Sequence, residues 1–283
     1  MRIGNVNGRL AILVGDGGID VETASSGRFD ADPQAVYGHW DEFRIWAEGH
    51  PMRPTMDLEP QALGAPAPRP RQVLAIGLNY RDHADESGFG LQEQPAIFTK
   101  FPSCITGPFG SVALPPGSVD WEVELVAVIG RTCRNVTVNE AWSHVAGLTV
   151  GQDLSEREKQ LAGSVPQFSL GKSHPGFGPM GPWLVTVDEF TNPDDLELSC
   201  AVNGVEMQKS RTSLLIVSIP ELVAYLSTIV TLLPGDVVYS GTPAGVGSKR
   251  EPPQFLHEGD ELVSTIEGIG TMLHTFVDEE PAR

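Results

Sequence analysis

A ten-residue segment, Trp121–Gly130, is apolar except for two glutamates, and such a run predicts a strand that is covered on both faces. Side chains alternate along a strand, so Glu122 and Glu124 lie on one face, with Cβ atoms roughly 7 Å apart. Two like charges that lose their hydration need positive compensation, which an oxygen-preferring divalent cation supplies. The simpler alternative for this pair alone is a strand end at which both glutamates reach water.

The composition favours a fold built from many short strands. The 283 residues include 31 glycines and 23 prolines, which favour turns over long helices. Apolar runs bounded by such residues predict a mainly β (α+β) protein whose strands form a sandwich or a rolled barrel. The predicted strands are Val73–Ile76, Val112–Leu114, Glu122–Ile129, Leu148–Val150, Trp183–Val187, Leu196–Val202, Val237–Tyr239, Glu261–Ile266 and Thr271–Val277.

The first 71 residues differ in pattern from the rest. Leu10–Val14 and the glycines after it predict a hairpin, and Pro33–Glu48 predicts a helix. Six prolines between Pro51 and Arg71 predict an extended, semi-rigid connector. The sequence therefore predicts a small N-terminal domain with its connector at residues 1–71 and a larger domain at residues 72–283.

Charge and cysteine content exclude several classes of protein. The formal net charge of −18 argues against binding to nucleic acid or to anionic membranes. Three scattered cysteines form no pairing motif, which fits a reducing cytoplasm.

The most apolar stretch, Ser213–Leu233, is interrupted by Pro220, and Ser218 with Glu221 forms a capping box. That stretch predicts a core helix at Ile219–Leu232 and no membrane span.

A third carboxylate can join the two strand glutamates. Asp153 comes just after the predicted strand Leu148–Val150, and Ser155 with Glu158 has the spacing of a capping box. Asp153 therefore lies at a predicted strand–helix junction, where ligands are commonly presented. Three carboxylates suit Mg²⁺ or Mn²⁺, which leave positions open for water or substrate. For Asp153 alone, a helix cap is the simpler alternative.

Other polar residues have spacings typical of acid–base and anion-binding sites. His83 and Glu86 are three residues apart on a predicted helical turn, so the carboxylate can fix the tautomer of the imidazole. Lys172 lies between a glycine and a serine, a setting that suits contact with a developing oxyanion. Arg157 and Gln160 share a helix face. Each of these residues could alone be an ordinary surface residue.

Taken together, the motifs over residues 72–277 resemble the fumarylacetoacetate hydrolase family, and specifically its bacterial members with a small leading domain. The motifs are GLNYxxHxxE at 77–86, DWEVEL at 120–125, QDxxxRxxQ at 152–160, GKS at 171–173, GPxGPW at 178–183, LPGD at 233–236 and SGTPAGVG at 240–247. The fumarylacetoacetase branch carries an extra aspartate where this chain has Gly77-Leu78-Asn79. The chain is therefore similar to the three-carboxylate branch, which acts on acylpyruvates, oxaloacetate and related 2-oxo acids.

The resemblance implies a fold, a metal and a set of site residues. The fold is a mixed β-sandwich roll, usually homodimeric, with residues 72–283 as the catalytic domain. Mg²⁺ or Mn²⁺ is held by Glu122, Glu124 and Asp153. The implied catalytic residues are His83, Glu86 and Lys172, and the implied substrate-binding residues are Arg157, Gln160, Gly241 and Thr242.

The expected function is metal-dependent hydrolysis of a C–C bond in a 2,4-dioxo acid, giving pyruvate and a carboxylic acid. In this hypothesis His83 activates water, Lys172 stabilises the oxyanion and Gly88–Gly90 lets the neighbouring segment move as a lid. Oxaloacetate decarboxylation and isomerisation of a 2-oxo-dienedioate are alternatives at the same site. A catalytically silent metal-bound member of the family and a β-sandwich binding module are further alternatives.

Overall fold

The computed structural model describes residues 1–50, 53–88 and 94–279, so Phe89 and Gly90 of the predicted lid lie outside the described residues. The strands are β1 Arg2–Val6, β2 Arg9–Val14, β3 Gly17–Asp20, β4 Met56–Asp57, β5 Leu63–Gly64, β6 Val73–Gly77, β7 Ala96–Thr99, β8 Ile105–Thr106, β9 Phe109–Leu114, β10 Val119–Asp120, β11 Val123–Ile129, β12 Val145–Gln152, β13 Ser155–Glu156, β14 Gly178–Val185, β15 Glu197–Val202, β16 Val205–Arg211, β17 Val237–Tyr239, β18 Glu261–Ile266 and β19 Gly270–Asp278. The α-helices are α1 Val21–Ala24, α2 Trp40–Gly49, α3 Arg81–Ser87, α4 Val138–His144, α5 Arg157–Gln160, α6 Phe168–Gly171 and α7 Ile219–Ile229.

Two sheets make up most of the β structure. The larger sheet has the strand order β4-β3-β2-β1-β14-β12-β11-β17-β6-β7, with β5 beside β1 and β8 beside β14. The smaller sheet has the order β16-β15-β18-β19-β9. Most neighbours are antiparallel, but β17–β6, β14–β8 and β19–β9 are parallel. The prediction of a mainly β, mixed roll is confirmed.

Strand β11 runs through the middle of the molecule and is covered on both faces. One set of its alternating side chains, which includes Val123 and Leu125, packs into the core that also contains the smaller sheet. The other set, Val126 and Val128, packs into a second core that includes Trp40 of α2. The sequence pattern predicted this division between the two faces of the strand.

The first 71 residues share both sheet and core with the rest of the chain. Strand β1 pairs with β14, with Arg2 opposite Val185. Side chains of α2 cover the same face of β11 as Val126 and Val128. The boundary at residues 1–71 stays a prediction, but backbone pairing and apolar contacts cross it.

The predicted helices have different outcomes. The capping box of Ser218 and Glu221 is confirmed, and the helix that it starts ends at Ile229 instead of Leu232. Pro33–Glu48 contains a 3₁₀ turn, Ala35–His39, that leads into α2. Among the helices of the described ranges, none has the length and apolar content that crossing a membrane requires.

The capping box predicted for Ser155 and Glu158 is wrong. Ser155 is held in β13 opposite Asp120, and the side chain that caps α5 belongs to Glu156. Its carboxylate accepts the N–H groups of Glu158 and Lys159 at 3.0 and 2.7 Å. Because Ser155 pairs in a strand, it lies one residue before the N-cap position of α5. The next residue, Glu156, therefore caps the helix.

Candidate active site

Three buried carboxylates meet where β11 begins and β12 ends. Antiparallel pairing sets Val123 opposite Gln152, and the Asp153 N–H donates to the Glu122 carbonyl at 2.9 Å. Oxygens of Glu122, Glu124 and Asp153 all lie within 4.8 Å of one another. The alternative in which both glutamates reach water is wrong, because their exposed fractions are 5% and 1%.

The surroundings shift the pKa values of Glu122 and Glu124 in opposite directions. Burial raises the pKa of Glu122, but the cations of Lys172 and Arg157 outweigh it and lower the pKa to about 2. Burial also raises the pKa of Glu124, and the negative charges of Asp153 and Glu122 raise it further, well above its usual value. Glu124 therefore keeps its proton at pH values where an ordinary glutamate is ionised.

Cation binding is expected to release the proton of Glu124. Because the pKa of this group is raised, affinity for Mn²⁺ should increase by up to about tenfold per pH unit while the pH stays below the raised pKa. Calorimetric titration with Mn²⁺ in two buffers of different ionisation enthalpy measures the protons released. Glu124→Gln should bind Mn²⁺ more weakly and release none. Equal proton release by both proteins would contradict the assignment.

Two buried lysines balance the carboxylates. Lys172 Nζ lies 2.8 Å from Glu122 Oε2 and 2.6 Å from Asp153 Oδ2. Burial alone would lower the pKa of Lys172, but Asp153 and Glu122 outweigh it and raise it. Lys172 is therefore a cation beside the cluster and not a proton acceptor. The second lysine, Lys100, lies 2.5 Å from Asp153 Oδ1, and the sequence analysis missed it.

Close packing positions Lys172 relative to α5. A Cβ at Gly171 would lie 2.5 Å from the Gln160 backbone nitrogen and 2.7 Å from the Glu156 carbonyl oxygen. Only glycine can approach the helix turn this closely. The preference for glycine before Lys172 therefore follows from the distance between the two segments.

Arg157 joins the carboxylates to Gln160. Its Nε lies 2.8 Å from Asp120 Oδ2, and its Nη1 lies 2.8 Å from Glu122 Oε1 and 2.9 Å from Gln160 Oε1. Because arginine only donates, the Gln160 oxygen faces it, and the Gln160 amide nitrogen remains for a ligand. Asp120, which the sequence analysis did not assign to the site, also accepts the Gly247 N–H at 2.7 Å.

The predicted histidine–glutamate pair forms on α3. His83 Nδ1 lies 2.7 Å from Glu86 Oε1, and Glu86 Oε2 accepts the Gly245 N–H at 3.0 Å. A carboxylate accepts hydrogen bonds, so this contact suits the tautomer with its hydrogen on Nδ1, in which the Nε2 lone pair is available to accept a proton. The pair therefore has the orientation that a general base requires.

Gly241 and Thr242 contact β11. The Gly241 N–H donates to Glu124 Oε2 at 2.7 Å, and the Thr242 hydroxyl donates to the Val123 carbonyl at 2.9 Å. Gly241 has a φ of +101°, and a Cβ there would lie 2.7 Å from Asn79 Cβ. Both donors are already engaged in this arrangement, so binding of a substrate carboxylate by this segment stays a prediction.

A cavity of about 300 Å³ connects these groups. The polar side of its lining includes His83, Glu122, Arg157, Gln160 and Lys172, and Thr242 also lines it. Its apolar side is formed by residues that include Leu78, Phe98, Leu161, Phe168 and Val246, and the exposed Lys249 completes the lining. The cavity is therefore lined by the predicted base His83, by the cations Lys172 and Arg157, and by Glu122 of the three clustered carboxylates.

The roll and this site define a β protein with a buried carboxylate trio suited to a hard divalent cation. The chain belongs to the fumarylacetoacetate hydrolase family, because the family model described as "Fumarylacetoacetate (FAA) hydrolase C-terminal" matches residues 72–277. The resemblance inferred from the motifs is confirmed.

Curated relatives have more than one activity in their names. The chain is 44% identical over 215 residues to the bovine (Bos taurus) mitochondrial oxaloacetate tautomerase FAHD2A, covering 75% of this chain and 68% of the relative. It is also 44% identical over 221 residues to 2,4-didehydro-3-deoxy-L-rhamnonate hydrolase of Sphingomonas sp. strain SKA58, covering 77% of each. The relatives therefore include hydrolases and tautomerases.

Solved structures agree with the fold over nearly the whole chain. A Mycobacterium smegmatis protein provisionally called HpcE has a TM-score of 0.96 and 55% identity, covering 99% of this chain and 100% of its own. Maleylpyruvate hydrolase from Sphingobium sp. SYK-6, solved with manganese(II) and pyruvate, has a TM-score of 0.80 and 27% identity, covering 99% and 100%. This family thus includes enzymes that bind a divalent metal.

Proposed function

We propose that this protein is a divalent-metal-dependent hydrolase that converts a 2,4-dioxo acid of the acylpyruvate type to pyruvate and a carboxylic acid. The observation that carries the proposal is the cavity onto which the oriented His83, the cation Lys172 and the carboxylate Glu122 all open. A protein that only held a metal for stability would not need a base and a cation around an open cavity.

The carboxylate trio fits Mg²⁺ or Mn²⁺. Glu122, Glu124 and Asp153 offer three buried oxygens within 4.8 Å of one another, and oxygen is the donor that both ions prefer. When bound, the ion would polarise the 2-oxo group of the substrate and lower the energy of the enolate that leaves.

The chain's own residues supply the remaining steps. His83 Nε2 takes a proton from the water that attacks the C4 carbonyl, and Glu86 keeps the ring oriented. Lys172 and the Gln160 amide stabilise the negative charge that develops on the C4 oxygen. The C3–C4 bond then breaks, the carboxylic acid keeps the water oxygen, and the proton on His83 returns to C3 to give pyruvate.

Reactions of oxaloacetate form a second candidate function. The chain is similar to oxaloacetate tautomerases, and Lys249 at the cavity could pair with a second carboxylate. Tautomerisation needs proton transfer only, and decarboxylation needs no attacking water.

A homodimer and a cytoplasmic location stay predictions for this chain.

A substrate panel distinguishes these functions. The chelator-treated protein is incubated with acylpyruvates, oxaloacetate and diketo deoxy-sugar acids, with and without Mn²⁺, and pyruvate, CO₂ and the enol absorbance are followed. We expect Mn²⁺-dependent release of pyruvate from an acylpyruvate. Turnover of oxaloacetate alone would favour the second candidate, and bound Mn²⁺ without any turnover would favour the catalytically silent member of the family.

A further inference from the structure

Lys100 is a fully buried lysine that the reaction described above does not use. It follows β7 and is 1% exposed. Its Nζ lies 2.5 Å from Asp153 Oδ1, donates to the Lys172 carbonyl, and lies 5.9 Å from the centre of the Tyr239 ring. A buried ammonium persists only where its charge and its donors are satisfied. The Asp153 carboxylate balances the charge of Lys100, and that carboxylate and the backbone carbonyl of Lys172 accept its N–H donors.

The two oxygens of Asp153 have different partners. Oδ1 accepts from Lys100, whereas Oδ2 accepts from Lys172, which also contacts Glu122. Oδ2 is therefore the oxygen that faces the other carboxylates. Oδ1 is bonded to Lys100, whose side chain is fully buried.

The end of β7 is also tied to the segment that carries Lys172. The Phe101 N–H donates to Ser173 Oγ at 2.9 Å, and the hydroxyls of Thr99 and Ser169 are 3.3 Å apart. Together with the bond from Lys100 to the Lys172 carbonyl, these contacts fix the position of one segment relative to the other. A change at Lys100 therefore affects both Asp153 and Lys172.

We propose that Lys100 is a positioning residue that restricts Asp153 to binding a cation through one oxygen, and thereby favours Mg²⁺ and Mn²⁺ over Ca²⁺. This inference rests on the proposed metal site. Ca²⁺ takes six to eight oxygen ligands and readily uses both oxygens of a carboxylate, whereas Mg²⁺ requires near-octahedral geometry. Two-oxygen binding by Asp153 would require the bond from Lys100 to Oδ1 to break. Lys100 is not among the residues that line the cavity, whereas Lys172, the partner of Oδ2, lines it.

The test compares metal selectivity in the unaltered protein and in Lys100→Met. Methionine is unbranched like lysine and one atom shorter, so it keeps the apolar stem but has neither charge nor N–H donor. Free Mn²⁺ is measured by electron paramagnetic resonance in the full-length, chelator-treated protein, and Ca²⁺ or Mg²⁺ is added as competitor. Loss of one positive charge strengthens binding of every divalent cation alike, so the ratio of affinities isolates the geometric effect.

We expect the Ca²⁺-to-Mn²⁺ affinity ratio to rise about tenfold or more in Lys100→Met. Lys209→Met, which removes an exposed lysine 3.3 Å from Glu197, is the matched control and should leave the ratio unchanged. An unchanged ratio in a Lys100→Met protein that still binds Mn²⁺ would overturn the inference while leaving the proposed function intact.

The unaltered protein gives a second arm that does not depend on folding of the variant. It should bind Mn²⁺ and Mg²⁺ more tightly than Ca²⁺, and tighter binding of Ca²⁺ than of either ion would overturn the inference. Absence of any Mn²⁺ binding would overturn both this inference and the proposed metal-dependent function.

Discussion

Replacing Asp153 with asparagine is expected to reduce Mn²⁺ affinity by more than about 100-fold and to abolish metal-dependent turnover, because loss of a ligand costs at least as much as loss of a residue that supports one. The amide has no charge to offer the cation, and it leaves Lys100 and Lys172 beside a neutral group. Lys100 then loses its carboxylate partner and Lys172 keeps only Glu122, so the excess buried positive charge also repels an incoming divalent ion. Mn²⁺ titration and pyruvate release at saturating substrate measure the two effects.

The matched control for this change is Asp195→Asn. Asp195 is a half-buried carboxylate that pairs with Arg211 at 2.6 Å and does not line the cavity, so its replacement removes a carboxylate–cation pair elsewhere in the protein. Affinity for Mn²⁺ and turnover should stay unchanged. Unchanged Mn²⁺ affinity and full Mn²⁺-dependent turnover in Asp153→Asn would reject Asp153 as a ligand.

Replacing His83 with glutamine is expected to reduce acylpyruvate hydrolysis by about 100- to 10,000-fold, the usual contribution of a general base. Glutamine fills similar space but cannot take a proton from water. Mn²⁺ affinity should change little, because the His83 ring bonds to Glu86 and none of the three clustered carboxylates belongs to α3. Pyruvate release from an acylpyruvate and CO₂ release from oxaloacetate are compared in the same preparation.

The comparison between the two substrates isolates the role of the base. Decarboxylation needs no attacking water, so any activity on oxaloacetate should survive in His83→Gln. Equal loss on both substrates would count against water activation. His257→Gln, at an exposed position, is the control and should match the unaltered protein on both.

The sequence was most informative where a periodic pattern met a strong physical constraint. Alternation along Trp121–Gly130 correctly assigned Val123 and Val126 to opposite cores, because successive side chains of a strand point to opposite faces and both faces of β11 are covered. Ser218 and Glu221 predicted a helix start because both hydrogen bonds are local. The strand Leu148–Val150 was found, but it extends from Val145 to Gln152 since pairing with β11 determines its ends.

Contacts between distant segments could not be predicted from local pattern. Lys100 follows an ordinary strand, and only the folded chain brings it to Asp153, 53 residues away. The role of Asp120 as the partner of Arg157 likewise depends on the pairing of β10 with β13. The same pairing moved the helix cap from Ser155 to Glu156.

The face of β11 that carries Glu124 is also the face against which α2 packs through Val126 and Val128. A substitution at Trp40 that shifts this helix would therefore change the strand that carries the proposed ligand Glu124, although Trp40 lies outside the family-matched residues 72–277. Sequence differences within residues 1–71 can therefore alter the site even where the residues that line the cavity are the same.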